Sequence, residues 1–127
     1  MRGTLNDQSL IYLQIAQMLE DHILREIYQE EEQVPSTNEL ARNFNINPAT
    51  AAKGINLLVS EGILYKKRGV GMFVSRGARQ MVQKKRQNAF YGTYIKPMVK
   101  ESVSLGLRGE DLLLLVQQAI EEGANCT

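Results

Sequence analysis

Thiol and imidazole side chains are nearly missing from this 127-residue chain: there is one cysteine, Cys126, and one histidine, His22. A lone cysteine cannot close an intramolecular disulfide, and no Cys-rich zinc site can be assembled from this stock, so neither metal nor cofactor is expected. Long apolar runs are missing too. The leucine run "LLLLV" at 112–116 falls far short of the ~18 to 20 residues that a membrane span requires. The opening "MRGTLNDQSL" has one arginine but no apolar centre and no small-residue cleavage site, so it does not read as a secretion signal; a cytoplasmic protein without membrane contact is expected. Length is limiting as well, with room for one ordinary domain or for one small domain and an appended helical arm. Within those bounds, 43% hydrophobic and 23% charged residues suit a soluble globular protein.

One more absence is local. Residues 66–100 contain ten Lys/Arg and no Asp/Glu, whereas 1–65 hold four against nine and 101–127 hold one against five, so the formal net charge of +1 conceals a block of +10. Such a run is commonly a solvated face, and it is also the electrostatic footprint of polyanion binding; charge alone leaves both open.

What is present is helical periodicity followed by a change of period. Across 9–28, Tyr12, Ile15, Leu19, Ile23 and Ile27 recur at three- and four-residue spacing, which predicts a core-packed helix of roughly five turns. "YQEEEQVPS" breaks the pattern with a solvated acidic loop. "STNE" at 36–39 is a Ser-x-x-Glu capping box opening a short helix over "TNELARNF". In "NINPATAAKGINLLVSEG", Asn47 suits an N-cap and Pro48 the first helical position, where no amide is needed, so a second helix is expected to run from there to near Gly62. Ala51, Ile55 and Leu58 fall on one side of it and Ala49, Lys53, Asn56 and Ser60 on the other. That outer face is small and polar, where a helix tuned only for solubility would carry Glu and Lys. Its unbulky first turn suits close approach of a helix N-terminus to an anionic partner. After Gly62, "ILYK" and "GMFVS" read as two short strands joined by "KRGV", with Gly69 and Gly71 supplying turn conformations that other residues resist.

Helix, short helix, turn, second helix and a basic hairpin in this order predict a winged helix-turn-helix: the second helix of the pair enters the major groove of DNA while Lys66, Lys67 and Arg68 at the wing face phosphates. Over residues 12–74, through "YLQIAQMLEDHI" and "VPSTNELARNFNINPATAAKGINLLVSEGILYKKRGVGMFV", the sequence resembles the GntR family of bacterial transcription regulators. The resemblance rests on a Pro-Ser segment, Glu-Leu-Ala, a Thr-containing helix, Leu-x-x-x-Gly and Arg-Gly-x-Gly-x-x-Val in that order. It implies DNA contacts from Ser36, Thr37, Asn38, Asn47, Pro48, Ala49, Thr50, Lys53, Arg68, Gly69 and Gly71. Of these, Thr50, Asn38 and Lys53 are the candidates for base contact, and Arg68 with Lys66 and Lys67 for phosphate or minor-groove contact. The chain departs from the family pattern where Asn38 and Ala52 stand at positions that are often arginine, which leaves more of the phosphate binding to the wing. Glu26 and Glu31 stand where glycines are frequent.

The remaining fifty or so residues are too few for the large effector domains attached to most members of that family. Phe90, Tyr94, Ile95, Met98 and Val99 form a helical stripe, expected to kink at Pro97, and "RGEDLLLLVQQAIEEG" forms a second helix too apolar to stand alone in water. A short tail of this kind resembles the YtrA subfamily. The expected architecture is mostly α with a small β-hairpin: a winged helix-turn-helix DNA-binding domain over 1–76, then a two-helix dimerisation segment over 77–127. Phe90, Tyr94, Ile95, Met98, Leu112, Leu113, Leu115 and Val116 would form the homodimer contact. Function is then read as a non-enzymatic regulator, a repressor, binding a palindromic double-stranded DNA operator as a homodimer, with a small-molecule effector left open. The Gly-x-Gly loop lacks the Gly-x-x-x-x-Gly-Lys-Ser/Thr pattern of a nucleotide cradle. A nonspecific DNA-binding or adaptor role in chromosome organisation or replication stays open.

Overall fold

The computed structural model describes residues 8–124, so Cys126 and the first seven residues lie outside it. The chain divides into two compact units, Met1–Lys85 and Arg86–Thr127.

In the first unit, α1 (Gln8–Leu24), α2 (Thr37–Phe44) and α3 (Pro48–Ser60) precede an antiparallel hairpin of β1 (Leu64–Lys67) and β2 (Gly71–Val74), and α4 (Ala78–Phe90) follows. The hairpin register pairs Leu64 with Val74 and Lys67 with Gly71. The core forms where the periodic residues converge: Leu19 and Ile23 from α1, Leu40 from α2, Ile55 and Leu58 from α3, Leu64 and Val74 from the hairpin, and Val82 from α4 are fully buried. Close packing of α1 on α3 depends on Gly54, since a Cβ there would lie 2.8 Å from the Tyr12 carbonyl oxygen and 3.1 Å from Ile15 Cβ.

Both predicted helix starts are built as the sequence suggests. The Glu39 amide donates to Ser36 Oγ at 3.1 Å while the Ser36 amide donates to Glu39 Oε1 at 2.8 Å, and the Ala49 amide donates to Asn47 Oδ1 at 2.8 Å. Asn45 closes α2 in the left-handed region, at a φ of 54°, which asparagine tolerates better than most residues.

The first helix is shorter than its periodicity implies. It ends at Leu24, where Glu26 turns left-handed at a φ of 62° and the Ile27 amide donates back to the His22 carbonyl at 2.8 Å. Ile27 therefore leaves the stripe and is 53% exposed. Arg79 Nε donates to the Leu24 carbonyl at 2.9 Å, satisfying one of the orphan carbonyls at the helix end.

The acidic segment after α1 is also more ordered than a solvated loop. The Glu31 amide donates to the Val74 carbonyl at 2.7 Å, the Val74 amide to the Glu32 carbonyl at 2.9 Å and the Val34 amide to the Met72 carbonyl at 2.9 Å, with Gln33 bridged to Phe73. Residues 31–34 thus line the free edge of β2. This short strand-like edge segment was hidden because Glu31 and Glu32 disguise it; only the alternation into buried Val34 hinted at it.

The second unit carries the end of α4, a π-helical turn (Tyr91–Ile95), α5 (Lys96–Ser104) and α6 (Gly109–Ala124). The interruption expected at Pro97 falls just before it. Pro97 has no amide to offer the carbonyl four residues back, and the Lys96 amide bonds to the Tyr91 carbonyl in an i to i+5 turn. Between α5 and α6, Gly106 at a φ of 77° lets the Leu107 amide return to the Ser102 carbonyl at 3.0 Å, ending α5. The Arg108 amide donates to Asp111 Oδ2 at 2.9 Å and opens α6. Among the described residues no helix is long and apolar enough to cross a membrane, and no cluster of His, Cys, Asp and Glu could hold a metal ion.

Candidate nucleic-acid interface

Three pieces of the first unit carry the residues singled out in the sequence: the start of α2, the first half of α3 and the wing tip. Ser36, Thr37 and Asn38 sit at the capped N-terminus of α2, with Asn38 exposed and Thr37 half-buried. Asn47, Pro48, Ala49 and Lys53 lie on the solvent side of α3, continued by exposed Asn56 and Ser60. The small, polar outer face expected of this helix is therefore open to solvent, and its first turn presents amides unobstructed by large side chains.

Thr50 is the exception. The residue is 5% exposed, grouped with Ala51, Gly54, Ile55 and Leu58 on the packed side of α3. The sequence suggested Thr50 for base contact; one step of about 100° from Ala49 turns it away from the open outer face. Lys53 is held rather than loose, since its Nζ lies 4.4 Å from the centre of the Tyr12 ring. Such a contact orients the ammonium without neutralising it.

At the wing, Lys66, Lys67, Arg68 and Gly69 are exposed and Gly71 half-buried. Gly69 and Gly71 have φ of 77° and 144°, a region favouring glycine. Lys67 Nζ sits 4.3 Å from the centre of the Phe73 ring. Lower on the hairpin, the Tyr65 hydroxyl donates to Glu31 Oε1 at 2.5 Å, and Arg76 Nε lies 3.5 Å from Glu31 Oε2. The hydrogen bond to Glu31 holds the Tyr65 phenol above its ordinary pKa, with desolvation adding to it. A carboxylate among these cations thus engages the base of the wing.

The basic block is not all directed at a partner. Besides Arg76 and Arg79, Lys85 is committed internally: its Nζ donates to Glu20 Oε2 at 2.5 Å and to Glu61 Oε1 at 2.7 Å. Glu61 is the C-cap of α3, and the Glu20 side chain is only 3% exposed. Desolvation pulls the Lys85 pKa down, but the hydrogen bonds and charges of the two glutamates outweigh it and set the pKa above the ordinary value.

In the second unit the residues expected to meet a partner copy are largely uncovered. Phe90, Tyr94, Met98, Leu113 and Leu115 are exposed, whereas Ile95, Leu112 and Val116 are half-buried. The Phe90 and Tyr94 ring centres are 5.4 Å apart. Tyr91, Val103, Leu105, Leu114 and Ile120 are exposed as well. Ile120 belongs with Leu113 and Val116 on the helical wheel, so period 3.6 could have found it. In the first unit a cleft of about 220 Å³ is lined by Ile23, Glu26, Tyr28, Gln29, Glu30 and Arg79. It lies below the ~300 to 1,000 Å³ usual for small-molecule sites and gives an effector little room.

Residues 11–74 match the family described as "Bacterial regulatory proteins, gntR family". The transcriptional repressor NagR of Bacillus subtilis is 38% identical over 66 residues, which is 52% of this chain and 27% of the relative. The transcriptional repressor YtrA of the same organism is 36% identical over 69 residues, 54% of this chain and 53% of the relative. The chain thus spans roughly a quarter to a half of the length of these two relatives. Among solved structures, a transcriptional regulator of the GntR family from Bacteroides thetaiotaomicron superposes with a TM-score of 0.71 at 30% identity, covering 89% of this chain and 98% of that one. The winged helix-turn-helix of the first unit, the ordered motif along 11–74 and this near full-length likeness agree: the chain belongs to the GntR family of bacterial regulatory proteins.

Proposed function

We propose that this protein is a sequence-specific DNA-binding transcriptional regulator, a repressor, that binds a palindromic operator as a homodimer. The observation that carries the reading is the open outer face of α3, with Asn47, Pro48, Ala49, Lys53, Asn56 and Ser60 exposed and only one of them cationic. The wing's exposed Lys66, Lys67 and Arg68 belong to the same unit. A polar helix face of low bulk reads base edges in the major groove, and a basic, glycine-bearing hairpin follows the backbone into the minor groove. Asn38 and Lys53 are assigned to the major groove. Lys66, Lys67 and Arg68 are assigned to phosphates, with Gly69 and Gly71 allowing close backbone approach. Ser36, Thr37, Asn47, Pro48 and Ala49 place helix N-termini against the backbone. Thr50 is assigned to seating α3 rather than to reading it. The uncovered apolar residues of α5 and α6 belong between two copies, which gives the two-fold symmetry a palindrome mirrors. Because the family is one of regulators, the glycine loop is a wing and not a nucleotide cradle.

Selection of bound duplexes from a random pool with the full chain tests this reading. An inverted repeat should emerge. Enrichment of nothing, or only of A·T-rich tracts, would replace it with nonspecific binding.

A further inference from the structure

The wing tip is a poor candidate for intrinsic order. Its sequence, "RGVG" at 68–71, places two glycines around one apolar residue, and Val70 is 59% exposed. Within the hairpin the tip is tied by the Val70 amide donating to the Lys67 carbonyl at 2.9 Å. A second tie comes from far along the chain. Gln33 Nε2 donates to the Val70 carbonyl at 2.9 Å, across a separation of 37 residues. The Gln33 backbone is itself fixed, because it is bridged to Phe73 and flanked by the strand-like bonds of Glu31 and Val34 to Val74 and Met72. Gly71 makes the approach feasible: a Cβ on it would collide with the Gln33 amide nitrogen. Only Val34 and Pro35 separate Gln33 from Ser36, the cap of α2.

We propose that Gln33 is a positioning residue for DNA recognition: its side-chain amide holds the Val70 carbonyl inward and so presents Arg68 and the Val70 side chain in a fixed pose, coupled through the edge strand to the α2 N-terminus. The proposal rests on the DNA-binding reading above. A tip that is ordered before encounter avoids an ordering cost on binding, which otherwise reduces affinity without deleting any contact. Gln33 contributes no charge, so its role differs in kind from that of Arg68, which contributes one.

The test uses the full chain and Gln33→Met, an uncharged replacement of similar length, with Gln33→Ala as a second variant. Hydrogen exchange of the Val70 amide in the free protein should accelerate about tenfold or more in both variants, while exchange at buried Ile55 and the melting temperature stay as in the parent. Affinity for a labelled duplex carrying the selected repeat should fall by about three- to tenfold. The log–log salt slope should be unchanged, whereas Arg68→Ala should flatten it by about 0.9. Unchanged Val70 exchange overturns the proposal, and so does faster exchange with unchanged affinity. Failure of the parent to prefer the repeat over a scrambled duplex sinks the regulator reading instead, and the Val70 exchange still reports whether Gln33 orders the tip.

Discussion

Glu26 and Glu31 hold φ of 62° and 69°, a left-handed backbone that costs an L-residue about 1–2 kcal/mol and glycine almost nothing. Both occupy positions where the sequence departs from a glycine pattern, so the departure is visible in the sequence and its strain only in the backbone. Glu31 recovers something through Tyr65 and Arg76. For Glu26→Gly, relief of the strain exceeds the extra entropy of an unfolded glycine, and the variant should gain about 0.5–1 kcal/mol in urea unfolding. Gly54 is the opposite case. Alanine is the better helix former by about 1 kcal/mol, yet Gly54→Ala should lose about 1–3 kcal/mol, because its Cβ meets backbone of α1 that cannot rotate away. A rise in stability on that substitution would show that the two helices have slack. Thr50 teaches a related lesson. Its place in a family motif suggested contact with DNA, whereas burial follows from its position beside Ala51 and Gly54 on the inner arc of α3.

At the level of elements, the helix starts were legible because capping is local chemistry: Ser36 with Glu39, and Asn47 with Pro48, satisfy amides within three residues of themselves. The hairpin was legible for the same reason, through its glycines. What escaped was held by partners far along the chain, namely the end of α1 by Arg79, the edge strand by Met72 and Val74, and the bridge from Lys85 to Glu20 and Glu61. That bridge joins the middle of α4 to α1 and to the C-cap of α3. Lys85→Met leaves the buried Glu20 carboxylate short of a charged donor and should cost about 1–3 kcal/mol at neutral pH. Since the folded pKa of Lys85 is raised, its contribution is complete below the ordinary lysine value of about 10.4 and is lost as pH rises through the higher folded value. The stability gap between parent and Lys85→Met, followed by urea titration, should therefore be constant from neutral pH to about 10 and close beyond it. The Glu39 carboxylate, lowered by hydrogen bonds from the Ser36 backbone and hydroxyl, works in the other direction: its support for α2 is present above the ordinary carboxylate range and lost as pH falls through the lowered value.

For the whole molecule, the first unit builds a buried apolar core and the second leaves most of its apolar residues exposed. Leu113 and Leu114 are each 70% exposed, and Val103, Leu105 and Ile120 are close to that. In the proposed homodimer a second copy of the chain covers such a face, and sedimentation should give twice the 14.3 kDa chain mass. Leu113→Glu with Leu115→Glu should return the monomer mass and weaken operator binding, because two linked half-sites become one. Sequence periodicity assumed an uninterrupted α spacing between Phe90 and Val99. The five residues Tyr91–Ile95 wind wider than that, with the Lys96 amide returning to Tyr91. One surplus residue in a helix turns everything after it by about 100°. Related arms that differ by a single insertion or deletion near Gly92 would therefore differ in azimuth rather than in reach, and two chains identical in every contact residue could still be unable to form a mixed pair.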